Sequence, residues 1–220
     1  MGTEMVDIKA QLAAELQNLD KTVAAPSGHR ISLKGKVFTF PDGKVSPGPI
    51  DAVVLDWRNV NQYYPGVYNA NKLESPSCFA LSKEIEGMAP DATCGDPQFK
   101  NCAECPMNDW GSAPGGGRGK ACKNGVRIAI VPPDANKDTP VYTIDLGPTS
   151  LTAFNNMTNA LSSQLGILPL QAKVQLDFDP NQSYPKIGFS ELVPLDDDLI
   201  PTMFELRNAG QVLLDKLPGS

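Results

Sequence analysis

The chain has 220 residues with a formal charge of −6, 41% hydrophobic and 20% charged residues, which suits one domain with a real core and excludes global disorder. That acidic balance excludes coating duplex nucleic acid through bulk positive charge, while a local basic groove stays open because phosphate affinity follows where charge sits. No apolar run approaches the roughly 20 residues that cross a bilayer, so no membrane partner is expected.

In chain order, Ile8, Leu12, Leu16 and Leu19 fall on one stripe, which predicts a helix within residues 1–26 that ends before Pro26. Apolar and polar residues alternate from His29 to Phe40 (Ile31, Leu33, Val37), and Pro41-Asp42-Gly43 then makes a turn. A second strand is predicted over Ile50–Trp57, apolar on both faces around Val53, Val54 and Leu55. From Asn59 to about Cys122 periodicity vanishes and cysteine, glycine and proline accumulate. A loop that long inside a compact domain needs an organiser, and a metal is the obvious one.

Regular pattern returns at Val126–Val131, closed by Pro132-Pro133, and at Val141–Leu146. A helix follows with Thr149 or Ser150 as N-cap, the apolar face Leu151, Phe154, Met157, Leu161 and Leu165, and Gly166 as its stop. Val174, Leu176 and Phe178 alternate as one more strand, and Ile187 and Phe189 as another after the Asn181–Pro185 turn. Asp196, Asp197 and Asp198 precede a last helix near Pro201–Leu214, where acids match the helix dipole. The expected fold is mainly β (α+β): an OB-like five-stranded barrel with a helix before the last two strands and a Cys-rich metal-binding insertion. A sandwich or another small barrel with a packed helix has a similar order. The domain reading is an N-terminal helix (1–26), an OB-like domain (27–193) with its insertion at about 59–122, and a C-terminal helical tail (194–220).

The opening residues carry Glu4 and Asp7 where a signal peptide has basic and then apolar residues, so a cytoplasmic location is expected. There, the five cysteines read as metal ligands or thiols before disulfides. Cys102-Ala-Glu-Cys105 is a knuckle whose two thiolates can reach one ion. Seven residues separate Cys94 from Cys102 and sixteen separate Cys105 from Cys122. Cys94, Cys102, Cys105 and Cys122 are therefore the expected ligands of a structural Zn2+, held tetrahedrally at about 2.3 Å. Cys78 is the spare that replaces Cys94 in an alternative set, and the lone histidine, His29, is an outside candidate. Four unrelated thiols would need no metal at all, and an iron–sulfur cluster would use the same four cysteines.

Between Trp110 and Arg127 the chain carries Arg118, Lys120, Lys123 and Arg127 with no acid among Gly111–Ile130, in a glycine-rich arm. Glycines let backbone amides approach an anion, and the cations neutralise phosphates. Gly119-Lys120 is followed by Ala121, so the Ser or Thr of a P-loop is missing and an ATP site is not expected. Tyr63, Tyr64, Tyr68, Trp57 and Trp110 flank the arm. Rings beside cations suit a single strand, whose bases stack at about 1–3 kcal/mol each. Trp57 closes an apolar strand and is assigned to the core; Tyr63, Tyr64 and Trp110 join the candidate nucleic-acid surface. The bland alternative is a solvated loop.

The stretches YYPGVYNANKLESPSCFAL, CAECPMNDWGSAPGGGRGKACKN and LGPTSLTAFNNM resemble a family of tailed-bacteriophage proteins of the replication module, over roughly Val37 to Phe189. The resemblance implies single-stranded DNA binding in phage DNA replication or recombination, in the host cytoplasm, with replication proteins as partners. Single-strand binders of this kind carry an acidic, flexible tail; this chain instead keeps its acids at Asp196–Asp198. The runner-up is a protein–protein adaptor or polymerase-binding factor that grips its partner through the metal module. An enzyme has little to build on: one histidine, no paired-carboxylate motif and no nucleophile elbow. A deaminase would need H-x-E with P-C-x-x-C, and Asn101 stands before Cys102.

Overall fold

The computed structural model describes residues 28–65 and 75–217; the predicted N-terminal helix and Tyr68 lie outside them. Among the described residues a short hairpin, β1 (Phe38–Thr39) and β2 (Val45–Ser46), precedes a six-stranded antiparallel sheet. The sheet comprises β3 (Ile50–Tyr63), β4 (Cys78–Ser82), β5 (Cys122–Val131), β6 (Tyr142–Leu146), β7 (Ala172–Phe178) and β8 (Ile187–Pro194). Its main path runs β6-β5-β3-β7-β8, with β4 also paired to β3. The path ends on β6 and β8, so the fold is mainly β with two helices and no closed barrel, unlike the five-stranded closure expected.

β3 organises the rest. Its partner β5 runs along it from Val53 to Tyr63, while β7 takes Ile50–Val53 and β4 takes Asn59–Tyr63 on the opposite edge. Because β3 is apolar on both faces it feeds two cores. Ala52 and Val54 face a layer with Val126, Ile128, Val174, Leu176 and helix α1 (Leu151–Ala160). Val53 and Leu55 face α2 (Ile200–Leu214) through Ala129, Met203, Leu206 and Leu214. The predicted C-terminal tail is thus a helix packed on the sheet. Each fully buried aliphatic side chain contributes about 1.5–3 kcal/mol, and both faces are needed to cover a strand this apolar.

The hairpin closes the α1 side: the Phe38 and Phe178 rings lie 4.6 Å apart, and Lys36 Nζ donates to the Asp179 and Gln182 carbonyls at 3.0 and 2.8 Å. Pro41-Asp42-Gly43 makes the expected turn, with Phe40 N–H donating to the Lys44 carbonyl at 2.8 Å. The α1 helix is entered through a tight turn, Pro148–Ser150, with Ser150 at the expected N-cap position but without a side-chain capping bond. The Ser150 hydroxyl is drawn away to accept the Ile187 N–H at 2.9 Å, tying the helix start to β8. After Ala160 the helix widens to a π turn, Leu161–Leu165, before Gly166 ends it. The wider turn takes Leu165 off the apolar stripe and leaves it 45% exposed.

Candidate metal centre and nucleic-acid interface

The segment between β3 and β5 carries the chemistry. β4 was not legible as a strand, yet it pairs with β3 and positions Cys78. Tyr63 is in register with Cys78 on β4 and with Cys122 on β5, so both thiols flank it on one face of the sheet. Three hydrogen bonds fix the knuckle's own conformation and tie it to Met88. Cys102 N–H donates to the Met88 carbonyl at 2.8 Å, Asn108 Nδ2 donates to the Cys102 carbonyl at 2.7 Å, and Asn108 N–H donates to the Cys105 carbonyl at 2.8 Å.

Cys78, Cys102, Cys105 and Cys122 then line one cavity of about 20 Å³, together with Asn61 and Tyr63. That is room for roughly one water-sized sphere, not for a metabolite. Cys94 stands beside this set: its Sγ donates to the Phe79 carbonyl at 3.1 Å and accepts the Phe79 N–H at 3.2 Å. The cavity thus contains the spare thiol, Cys78, while Cys94, bonded to the Phe79 backbone, stays close enough to Cys78 and Cys102 to raise both thiols. His29 is elsewhere, donating from Nδ1 to the Val141 carbonyl at 3.0 Å. All five thiols are free of disulfides. Burial pushes the Cys78, Cys102 and Cys122 thiols up, Cys122 to about 12, and the other cysteines nearby add to each rise.

Soft sulfur donors in an ion-sized space suit zinc chemically. As placed, however, no group of three or more His, Cys, Asp or Glu side chains among the described residues is arranged to hold a metal ion. The thiols converge without closing to ligand distance.

Beyond the knuckle the arm is a stapled loop. Gly111 and Ala113 N–H both donate to the Gly119 carbonyl at 3.0 Å, and Gly115 and Gly116 take φ of 85° and 77° at its tip, where only glycine is at ease. Trp110 projects from it, 79% exposed, with Lys120 Nζ 5.4 Å from the ring centroid. Lys120 also donates to Asn108 Oδ1 at 3.1 Å, and Lys123 Nζ to the Lys120 carbonyl at 3.0 Å. Arg118 and Lys123 are exposed, and among the described residues neither they nor Lys120 pair with a carboxylate.

The remaining nucleic-acid candidates behave differently. Arg127 is 6% exposed and committed: Nε donates to Asp145 at 2.7 Å and Nη1 to the Lys216 carbonyl at 2.5 Å. It anchors the end of α2 to the sheet and is not a phosphate ligand as placed. Tyr63 lines the cysteine cavity. Tyr64, one residue past the end of β3, is exposed, and partial desolvation pushes its phenol up. Trp57 packs on Phe154 at 5.6 Å, as a core ring should, with Lys83 Nζ 3.2 Å from its centroid.

Sequence reasoning missed Asp56. It sits 1% exposed beside a bulge in β3, on the stretch between the partners β7 and β4. Lys83, Gln211, Arg207 and the Trp57 N–H all reach its carboxylate. Burial alone would raise its pKa, but these donors outweigh that and hold it at about 2. The single signal was an acid inside an otherwise apolar run. Comparison with protein-family models, curated proteins and solved structures found no match for this chain.

Proposed function

We propose that the chain is a non-enzymatic single-stranded DNA-binding protein, its basic arm held by a structural zinc ion, acting in phage DNA replication or recombination. The observation that carries this reading is the arm. Trp110 is the most exposed large apolar side chain among the described residues; Lys120 Nζ lies over its ring, and Arg118 and Lys123 follow on the same arm. A base stacked on such a ring gains about 1–3 kcal/mol while the cations meet phosphates, a combination that serves any sequence. The resemblance to phage replication proteins supports the same reading.

In this reading Cys78, Cys102, Cys105 and Cys122 draw in from the cavity walls onto one Zn2+, and Cys94 stays on the Phe79 backbone. The metal's role is to hold the arm against β3 and β5. The sheet then serves as an OB barrel does, presenting one surface to a strand in the cytoplasm, with replication proteins as further partners.

Fluorescence anisotropy with labelled single strands, duplex DNA and RNA across a salt series tests it. Three phosphate contacts give a log–log salt slope of about −2, since each single-strand contact contributes about −0.7. Arg118→Ala flattens that slope by about one contact, whereas Trp110→Ala weakens binding at every salt concentration because stacking is little screened. Failure to bind any single strand at low salt would replace this reading with the protein-docking adaptor.

A further inference from the structure

We infer that the bound single strand continues beyond the arm, past Lys123, along a groove whose far half is formed by Arg30, Lys34 and Tyr184. This rests on the single-strand reading and extends it to residues remote in sequence from the arm. Two grooves adjoin at Asp145 and Gly147. The first is lined by Gln62, Lys123 and Asn124, and it begins where Lys123 bonds back to the Lys120 carbonyl of the arm. The second, of about 620 Å³, is lined by Arg30, Lys34, Thr149 and Tyr184. They share Asp145 and Gly147, so the surface is continuous from the arm to Tyr184.

The floor of the first groove is backbone packed close on backbone. A Cβ on Gly125 would stand 2.6 Å from the Leu146 carbonyl oxygen, so only glycine fits where β5 passes β6 beneath the first groove. Charge favours the same path. Lys123, Arg30 and Lys34 line the two grooves against one acid, Asp145, and Arg127 already holds that acid at 2.7 Å. Arg30 also touches Asp145, at 3.0 Å, but its side chain is 67% exposed. An exposed ion pair of this kind is worth little, so Arg30 can exchange it for a phosphate while Arg127 keeps Asp145 neutralised. Tyr184, 43% exposed, offers a ring at the far end, as Trp110 does at the near end.

The competing groove beside Trp57 is unsuited to a polyanion. It carries Glu84 and Glu86, and its cation, Lys83, is bound to Asp56.

The test uses labelled oligo-dT of about 6 and about 16 nucleotides, within the range of site sizes for single-strand modules. Arg118→Ala weakens both lengths. The Arg30→Ala/Lys34→Ala pair leaves the short oligomer unchanged and flattens the salt slope of the long one by about 1.4, two contacts' worth. Tyr184→Ala weakens the long oligomer roughly fivefold or more, the low end for one lost stack. Lys34→Ala alone removes an exposed side chain, so it reports binding even where the pair perturbs folding. If the wild type binds and Arg118→Ala weakens it, yet the groove variants bind both lengths normally, the continuous track is overturned and the single-strand reading stands. Equal weakening of short and long oligomers by the groove variants also overturns it. A wild type that binds neither length overturns both, and a preference for oligo-U with the same variant pattern overturns the DNA assignment.

Discussion

The Ser112 hydroxyl accepts the Ala121 N–H at 2.9 Å and so closes the basic arm one residue before Cys122. Its own proton goes to the Asp109 or Met107 carbonyl, at 2.7 and 3.0 Å. One side chain therefore joins the start of the arm, the end of the arm and the knuckle segment. Since Ala121 is buried, its amide has no ready substitute partner.

Ser112→Ala leaves that buried N–H unsatisfied, at a cost of about 1–3 kcal/mol. The expected result is a faster-exchanging Ala121 amide, a lower urea midpoint and weaker single-strand binding through a looser arm, with the thiols and their metal content unchanged. Unaltered exchange at Ala121 would show that the arm is held by something else.

The proposed zinc site makes a second prediction. Elemental analysis of purified protein should show about one zinc per chain. Serine at Cys78, Cys102, Cys105 or Cys122 removes it and exposes the segment between β3 and β5 to proteolysis, while Cys94→Ser retains it. Loss of zinc in Cys94→Ser with retention in Cys78→Ser would return the site to the Cys94 set. A brown protein containing iron and sulfide would replace zinc altogether.

The strands and helices with clean periodicity were legible: Val174, Leu176 and Phe178 mark β7, and the last helix falls at Ile200–Leu214. What failed were features decided by partners rather than by pattern. Ser150 holds the N-cap position, but its hydroxyl serves the Ile187 amide instead of the helix. β4 has only five residues, Cys78–Ser82, with no alternation, and it is a strand because the end of β3 offers an unfilled edge. The cysteine spacing marked a knuckle but carried no sign that the Tyr63 register would set Cys78 beside Cys122. Arg127 shows the opposite error: acid-free neighbours in sequence gave no hint of Asp145 on the adjacent strand.

Asp56 yields a pH prediction. Its carboxyl titrates at about 2 in the folded chain against 3.8 unperturbed, so the folded state holds its proton less tightly than the unfolded state. The stabilisation is therefore present in full above the unfolded value and is lost as pH falls through the folded one. That difference corresponds to roughly 2 kcal/mol, shed between about pH 5 and pH 2. Asp56→Asn is less stable at neutral pH, because Lys83 and Arg207 lose their buried counter-charge, and its stability falls less steeply in acid. Denaturant melts at several pH values check this; parallel acid limbs for the two proteins would show that Asp56 is not the group responsible.

Arg127 and Lys123 lie four residues apart on β5 and were read as the same kind of residue, yet the structure gives them opposite expectations. Lys123 is exposed and borders the first groove, so Lys123→Ala should leave urea unfolding within about 0.5 kcal/mol of wild type. Its effect should appear in binding, as a salt slope flattened by about 0.7. Arg127→Ala removes the guanidinium that neutralises Asp145 and donates to the Leu214 and Lys216 carbonyls at the end of α2. Asp145 keeps Arg30 at 3.0 Å and is partly exposed, so the loss comes chiefly from the carbonyls left without a donor, about 1–3 kcal/mol. Arg127→Ala should therefore unfold at distinctly lower urea, with α2 the first element to lose exchange protection. Any binding loss should track the fraction unfolded and leave the salt slope of the folded fraction unchanged. A stable Arg127→Ala protein with a flattened slope would mean that Arg127 turns from Asp145 to a phosphate when the strand binds.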